Sequence, residues 1–361
     1  MPETDSALST TMTEARRVME ICNACRYCEG FCAVFPAMAL HRDFANADLN
    51  RLANLCHNCK ACYYACQYAP PHPFGVNVPQ TFAILRDESY RAYAWPRPLA
   101  AAFARNGTVV ALTTGLSLAL VLILTDSLTA PGILIRAWTG RDAFYRVIPW
   151  AAMSGIAAIT LLFSMLALTM GGMAFWRESR PDRPVTGRAV LRGLHDALTL
   201  KNLGGGGHGC NDRDGAFSTL RRRFHHAMAY GFAACFAATS VAAFEAYVLG
   251  LPAPYPWLSA PVILGVVGGA GLLVGTSGLI GLKFTTDPTA TAPALLGADL
   301  ALLALLWFAA ATGITLLLFR ASAAMGPLLA LHLGFILALF IVLPYSKFVH
   351  AIYRTLALIA R

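Results

Sequence analysis

The chain has 361 residues, of which 57% are hydrophobic and 13% are charged, and its formal net charge is +9. Soluble domains contain about 25% charged residues, so this composition excludes an ordinary soluble protein and indicates an integral membrane protein with a smaller polar part. The positive charge would suit a nucleic-acid partner, but its placement along the chain matches a membrane topology, and we expect no nucleic acid to bind.

The polar part at the start of the chain contains two cysteine runs. CNACRYCEGFC extends from Cys22 to Cys32 and CHNCKACYYAC from Cys56 to Cys66, each with the spacing C-x2-C-x2-C-x3-C. Together they contain eight of the ten cysteines. No apolar core of a cleavable signal peptide precedes them, so we expect this segment to stay in the cytoplasm. Thiols remain reduced there and favour metal ligation over disulfides.

The spacing predicts two four-iron clusters. In such runs three cysteines hold one cubane, and the fourth reaches across to the neighbouring cluster. The expected ligands are Cys22, Cys25, Cys28 and Cys66 for one 4Fe-4S cluster, and Cys56, Cys59, Cys62 and Cys32 for the other. Two zinc sites are the alternative, although zinc prefers paired cysteines separated by a longer loop. Ala33 and Gln67 replace the proline that usually follows the fourth cysteine.

The segment between the runs, FPAMALHRDFANADLNRLANL, has apolar residues at helical spacing. It favours an α-helical ferredoxin-like head over a hairpin-rich one. An extended stretch and a further helix then lead to Trp95 and its neighbouring prolines, which we expect at the membrane interface. The head is predicted to cover residues 1–105.

Six apolar runs of about 20 residues follow the head and predict six transmembrane helices. They cover residues 106–126, 147–175, 224–249, 258–282, 293–319 and 326–350. The membrane domain is therefore expected at 106–361, with a cytoplasmic loop at about 177–223. Twenty-four of the 28 lysines and arginines lie on the side of this topology that carries the head. The positive-inside rule then predicts a multi-pass protein with both termini in the cytoplasm. We expect the membrane to be a bacterial inner membrane.

The 177–223 loop contains GGGGHGCND, Gly204 to Asp212. A phosphate-binding loop is not predicted, because no strand precedes these glycines and no Lys-Ser/Thr pair follows them. We expect a flexible loop instead. Cys210 is a candidate ligand or reactive thiol, but a single loop cysteine is more often neither. The same applies to His195 and His208.

Four histidines lie in or beside predicted spans, where ionisable residues are costly and usually functional. His225 and His226 begin the third span, and the sixth carries His332 and His350, 18 residues apart. Eighteen residues are five helical turns, so an unbroken helix would project both from one face, about 27 Å apart. The antiparallel third and sixth spans bring His225 or His226 level with His350, which predicts a bis-histidine b-type haem. Solvated interface histidines are the alternative.

A second haem is less well supported by the pattern. Ten residues after His225, where a second histidine would face His332, the chain has Cys235, and a thiolate is unfavourable in so apolar a stretch. We therefore expect one haem b and keep a second one, on His332, as an alternative. A quinone or proton path is assigned to His332, Glu245, Tyr345 and Lys347.

Two resemblances follow from these motifs. HLGFILALFIVLPYSKFVH looks like the last helix of the cytochrome b subunit of respiratory nitrate reductase, and FHHAMAYGF is similar to its facing helix. The whole arrangement, with DALTLKNLGGGGHGCND in the middle loop, resembles the tricarballylate utilisation protein B family, also called CitB. This resemblance implies an FAD-dependent partner on the cytoplasmic side, tricarballylate dehydrogenase, whose reduced flavin is reoxidised by the quinone pool.

The predicted protein is thus all-α, with a ferredoxin-like head followed by a six-helix, cytochrome b-like bundle. Its predicted function is electron transfer from a flavoprotein dehydrogenase through two 4Fe-4S clusters and haem b to quinone in the lipid bilayer. No nucleophile elbow, dinucleotide fingerprint or pair of catalytic carboxylates is recognisable, so substrate chemistry is expected on the partner. The alternatives are an iron-sulfur redox sensor or membrane anchor without turnover, and a transporter with an accessory ferredoxin.

Overall fold

The computed structural model describes residues 10–140, 142–181 and 184–361. Across these three ranges the regular elements are helices, and the β-type pairing is a single antiparallel bridge between Cys210 and Ser218. The prediction of an all-α membrane protein with an N-terminal head is confirmed. The domain boundary near residue 105 stays a prediction.

Five helices form the head. They are α1 (Thr10–Cys25), α2 (Val34–Met38), α3 (Asn46–Leu55), α4 (Ala61–Tyr64) and α5 (Val78–Tyr93). Their apolar faces enclose a core whose largest fully buried members are Phe44, Phe82, Met19, Met38, Leu49 and Leu52. The first cysteine run begins in the last turn of α1, and the second begins at Cys56, the residue that directly follows α3. The head core therefore holds the starting points of both runs in fixed positions.

The beginning of α5 follows from its local sequence. The Asn77 side chain accepts a hydrogen bond from the Gln80 backbone N–H, and Pro79 stands in the first turn, where its missing N–H costs nothing. After α5 the chain forms a 3₁₀ segment, Arg97–Arg105, and enters the membrane part.

Six helices are long and apolar enough to cross a membrane. They correspond to α6 (Asn106–Leu128), α8 (Trp150–Ser179), α10 (Leu220–Tyr247), α11 (Ala260–Thr285), α12 (Leu296–Phe319) and α13 (Met325–Val342). The short α7 (Ala143–Val147) and the amphipathic α9 (Gly187–Leu198) lie between them, and α14 (His350–Ile359) ends the chain. All six predicted spans are present.

Glycine allows α10 and α11 to lie in backbone contact. A Cβ atom at Gly231 of α10 would lie only 2.7 Å from the backbone nitrogen of Leu272 and 2.8 Å from the carbonyl oxygen of Gly268. Small residues at such positions let membrane helices approach closely without side chains between them. This contact fixes the helix that carries His225.

The sixth span differs from the prediction. Its helix ends at Val342, two 3₁₀ turns follow at Leu343–Tyr345 and Lys347–Val349, and a new helix begins at His350. Pro344 explains the break, because proline lacks an N–H and its ring clashes with the preceding helical turn. The expectation that His332 and His350 project from one unbroken helix face is therefore wrong.

The break redirects the end of the chain towards the head. Helix α14 packs against α3, α8 and α9. Its Tyr353 is buried in an aromatic group with Tyr90 and Tyr93 of the head and Phe175 of α8, at ring centroid distances of 5.3–5.9 Å. His350 consequently lies at the junction of head and membrane helices.

Candidate functional site

The first set of cysteines lines a cavity of about 280 Å³ near the surface of the head. We call it the outer cavity, defined by Cys22, Cys25, Cys28 and Cys66. A fifth cysteine, Cys62, borders it as well. The other lining residues are apolar, aromatic or uncharged polar residues. Burial, followed by the proximity of Cys66, raises the pKa of both Cys22 and Cys28 to about 12. Without a metal, these thiols would stay protonated at neutral pH.

The second set lines a smaller cavity closer to the membrane helices. We call it the inner cavity, defined by Cys32, Cys56, Cys59 and Cys62. His57 and Lys60 also border it. Burial, followed by the proximity of Cys59 and Cys56, raises the pKa of Cys32. The fourth cysteine of each run therefore lies with the first three of the other run, the arrangement that the spacing favours.

The two cavities differ from a closed single-ion site. Among the residues that the structure describes, no three or more His, Cys, Asp or Glu side chains are gathered tightly enough to hold one metal ion. The cysteines surround space instead. Cys62 borders both cavities, so the two are immediate neighbours.

The glycine-rich loop packs against Cys59 of the inner cavity and does not extend freely as expected. The Asn211 backbone N–H donates to the carbonyl oxygen of Cys59 at 2.9 Å. Gly205 has φ +51°, and a Cβ atom there would lie 3.2 Å from the Cβ of Ala61 and 3.8 Å from Cys59 Sγ. The loop thus needs glycine both for its backbone conformation and for its approach to a predicted ligand.

Cys210 anchors this loop by packing. It is fully buried, and its thiol donates to the carbonyl oxygen of Leu203 at 3.3 Å. Burial raises its pKa to about 12, which favours the neutral thiol. The two loop histidines border neither cavity: His195 is largely exposed beside Asp196, and His208 packs against Phe217.

The loop between α11 and α12 holds the same part of the head. Lys60 Nζ donates to Thr286 Oγ1 at 2.5 Å, and the Tyr64 hydroxyl donates to Asp287 Oδ2 at 2.6 Å. Burial, and then the charge of Arg221, lower the pKa of Lys60 to about 8. The part of the head that forms the inner cavity therefore contacts two loops of the membrane domain.

His225 and His350 face each other behind the inner cavity. Their ring centroids are 6.1 Å apart and their planes are nearly perpendicular, at 89°. Two imidazoles on opposite sides of one metal, each with a metal–nitrogen bond of about 2 Å, would have a similar separation.

The surroundings of the Nδ1 atoms of the two rings also suit metal ligation. His350 Nδ1 faces the carbonyl oxygen of Lys347, a partner that leaves Nε2 with its lone pair. The Nδ1 of His225 is buried and has no hydrogen-bond partner within the described residues. A buried polar atom of this kind requires an explanation, and a bound group is one.

The alternate histidines point elsewhere. His226 Nε2 lies 3.2 Å from the carbonyl oxygen of Thr199, and its ring packs on Tyr230. His332 Nδ1 lies 3.1 Å from the carbonyl oxygen of Ala309 in α12. No hydrogen bond or ring contact joins His332 to Glu245 in the described ranges, so the expected outer-side pair is not brought together.

The inner-side candidates Tyr345 and Lys347 have separate contacts. Tyr345 donates to the carbonyl oxygen of Trp95 at 2.9 Å, which fixes the junction of head and membrane. Lys347 and Lys283 both pair with Asp299, whose side chain is 7% exposed. Sequence reasoning missed Asp299, although a carboxylate in the apolar stretch LGADLALLALLWF is itself a signal.

Two arginines that sequence reasoning also missed connect the inner cavity with the histidine pair. Arg354 Nη2 donates to the carbonyl oxygen of Cys56 at 2.9 Å, and Arg221 donates to that of Asn58. Each arginine lies four residues from a histidine of the pair, Arg354 after His350 and Arg221 before His225. Four-residue spacing places side chains on one helix face, which is the signal that could have identified them.

Comparisons with known proteins agree with this organisation. Residues 15–92 match the family model of the citrate utilization protein B Fer4-like domain, and residues 102–361 match that of citrate utilization protein B. The chain is 45% identical over 353 residues to citrate utilization protein B of Escherichia coli, an alignment that covers 98% of this chain and 92% of the relative. No solved structure gives a significant match.

The Fer4-like domain suggests iron-sulfur clusters, and its fusion to six apolar helices fits a membrane protein of electron transfer. The family resemblance predicted from the sequence is confirmed. The chain belongs to the citrate utilization protein B family.

Proposed function

We propose that this chain carries electrons, one at a time, from a reduced flavoprotein dehydrogenase to membrane quinone. One 4Fe-4S cluster would occupy each cysteine-lined cavity, and His225 and His350 would hold a b-type haem. The observation that carries the proposal is spatial order: outer cavity, inner cavity and histidine pair follow one another from the head surface to the membrane helices.

The outer cavity suits electron entry. Its cysteines are partly exposed, whereas Cys56 and Cys59 of the inner cavity are 7% and 8% exposed. A reduced flavin releases two electrons, and two one-electron clusters would accept them in succession. The donor proposed here is an FAD-dependent dehydrogenase of a tricarboxylate, by resemblance tricarballylate dehydrogenase.

Side chains and backbone groups of the protein connect the inner cavity with the histidine pair. Arg354 bonds the Cys56 carbonyl and stands one helical turn, about 6 Å along the axis, from His350. A haem bound at the pair would supply a one-electron centre at the edge of the membrane domain. The chain's contribution is to orient His350 through the Lys347 carbonyl and to keep the site dry beneath the head.

Protons for quinone reduction would come from the same end of the bundle. Asp299, Lys347 and Asn106 border one small cavity at this end of the bundle. We therefore propose a proton role for Lys347 and Asp299 and assign none to His332 or Glu245. We propose a bacterial inner membrane as the location, and the lysine and arginine bias supports an orientation with the head and termini in the cytoplasm.

Spectroscopy of anaerobically purified protein tests the cofactors. We expect cluster absorbance that dithionite bleaches, a reduced b-type haem band, and roughly eight iron atoms per chain beyond the haem. Protein without these signals would refute the proposal.

Turnover is tested in liposomes that contain the chain, a reduced flavoprotein dehydrogenase and a quinone analogue. Quinone reduction that requires the chain is the expected result. Intact clusters and haem without electron flow would favour the redox sensor or anchor instead.

A further inference from the structure

We propose that Arg86, Arg221 and Arg354 give the inner cluster a higher reduction potential than the outer cluster, so that an electron rests beside the histidine pair. This inference depends on the proposed function, because it requires a cluster in each cavity. It adds a direction to the relay and names the side chains that set it.

The arginines converge on the backbone of the second cysteine run. Arg86 Nη1 donates to the carbonyl oxygen of Cys56 at 2.8 Å, and Arg354 Nη2 donates to the same oxygen at 2.9 Å. One ligand cysteine therefore has both carbonyl lone pairs bound by cationic donors. Arg221 donates to the carbonyl oxygen of Asn58, two residues further along.

These cations have few anionic partners. Arg221 lies 3.9 Å from a carboxylate oxygen of Asp212, but no Asp or Glu carboxylate lies within 4 Å of Arg86 or Arg354 in the described part of the chain. Arg86 is only 5% exposed. Buried charges are normally paired, so this cluster of arginines favours an anion in the adjoining cavity. Four thiolates on a four-iron core, with a net charge of about 2−, supply that anion.

Two carboxylates near Arg86 already pair with other side chains. Asp87 and Asp299 border the same small cavity as Arg86. Asp87 pairs with Arg91, and Asp299 pairs with two lysines. Lys60, at the rim of the inner cavity, donates to uncharged oxygens. The excess of positive charge therefore persists around the second run.

The outer cavity lacks this environment. No lysine or arginine is among its lining residues in the described part of the head. Arg17 is neutralised by Glu14 at 2.7 Å, and Arg26 is exposed and bonds Asn23. Water and salt screen such surface charges strongly.

Burial and charge oppose each other at the inner cavity. Reduction adds negative charge, so burial alone would lower the potential of the inner cluster. Cations bonded to the ligand loop favour the reduced form, and three of them, one buried and two partly buried, act together at short range. We infer that their charge outweighs burial. One electron then leaves the reduced outer cluster, which is oxidised, and reduces the inner cluster, with no proton or bond change.

An EPR-monitored redox titration of the full-length protein in nanodiscs tests the order of potentials. Substitution Cys25→Ser alters the outer cluster and Cys59→Ser the inner one, which assigns the two signals. We expect the signal altered by Cys59→Ser to have the higher midpoint potential. If that signal has the lower potential while both clusters are present, this inference is overturned and the proposed relay stands. If the purified protein contained no iron, both this inference and the proposed relay would be refuted.

Substitution Arg354→Gln tests the cause. At a fixed potential near the inner midpoint, the ratio of reduced to oxidised inner cluster should fall about tenfold, a shift of 59 mV for one electron. The outer cluster should change less than twofold. Arg354→Lys, which keeps the charge, should restore most of this ratio. The matched control is Arg26→Gln at an exposed position, which should change the ratio for the inner cluster less than twofold. Equal shifts of the midpoint potentials of both clusters, or no shift of either, would overturn the inference. If Arg354→Gln does not assemble, the order of the two potentials in the unsubstituted protein decides the inference.

Discussion

The two ends of the membrane bundle use their charged and titratable side chains differently. At the end that contacts the head, His225 faces His350, and Asp299 pairs with two lysines, largely shielded from water. At the far end, Arg320 lies 4.4 Å from the ring of Trp257, and Arg136 lies 4.9 Å from that of Trp138. Cation–π contacts of this kind suit a membrane surface, whereas the paired groups of the head end suit chemistry.

For the relay proposed above, this difference favours an end on the same membrane face as its beginning. Pro344 is central to it, because the helix break turns His350 and Arg354 towards the head. The far-side histidine, His332, stays within α13 and is satisfied by α12. Electrons that enter at the head would therefore reach the haem without crossing the bilayer.

The largest effect is expected from removal of a histidine at the head end. His350→Ala should abolish the b-type haem absorbance, because His225 alone would be left of the two histidines that would hold the haem. The measurement is a dithionite-reduced spectrum of purified protein, with cluster absorbance as an internal standard.

Far-side His332→Ala and the neighbouring His226→Ala are the controls for this prediction. Both should retain the full haem band, since their rings face Ala309 and Thr199. A loss of haem in the His332 variant with retention in the His350 variant would reverse the proposed contrast between the two ends.

The second prediction concerns the carboxylates of the two ends. Asp299→Asn removes the partner of Lys283 and Lys347, and removal of one partner from a fully buried ion pair costs about 3–5 kcal/mol. Both lysine side chains are partly exposed, at 32% and 40%, so we expect a smaller loss, about 2–4 kcal/mol. Thermal unfolding in detergent at fixed protein concentration measures it. Glu245→Gln at the far end should change stability by less than about 0.5 kcal/mol, and equal losses would contradict the contrast.

The third prediction concerns the glycine-rich loop, which packs against Cys59 of the inner cavity. Gly205→Ala places a methyl group at positive φ and 3.2 Å from Ala61, which should destabilise the closed loop by about 1–2 kcal/mol. Oxygen should then bleach the inner cluster faster than the outer one, as followed by EPR after exposure to air. Gly215→Ala, with no heavy atom within 4 Å, is the control, and equal bleaching rates in the two variants would show that the loop does not protect the cavity.

Sequence patterns predicted the helices well, and the structure groups the cysteines as their spacing favours, because both depend on local spacing. The C-x2-C-x2-C-x3-C runs determine which thiols can share a cluster, and apolar runs of about 20 residues determine the spans. The assignment of His225 to His350 followed from antiparallel spans, and the structure brings these rings together.

What escaped prediction depends on tertiary contacts. Arg354 reaches Cys56 only because the helix breaks at Pro344, whereas the predicted sixth span, 326–350, runs continuously through that proline. The glycine loop looked free because its partner, Cys59, is some 150 residues away in the chain. Hydrophobic periodicity contains no information about such long-range pairing, so neither contact could be derived from it.

The smallest expected effect tests how the head is held at its own end of the bundle. Tyr64→Phe removes the hydrogen bond to Asp287 and should cost about 0.5–1 kcal/mol, the low range for a partly exposed bond. Tyr63→Phe is the matched control, because its ring lies beside Tyr64 while the bond to Asp287 is made by Tyr64. Burial raises the pKa of Asp287, but the bonds from Tyr64 and Thr289 outweigh it and leave that pKa below 3.8.

A depressed carboxylate pKa contributes stability that is complete above the unfolded value and is lost as pH falls through the folded value. Asp287 is therefore ionised in both states from pH 7 to pH 5. The difference in unfolding free energy between Tyr64→Phe and Tyr63→Phe should stay constant over that window, as measured by thermal unfolding at several pH values. A difference that vanished by pH 5 would mean that Asp287 is protonated there and that another contact holds the second cysteine run against the α11–α12 loop.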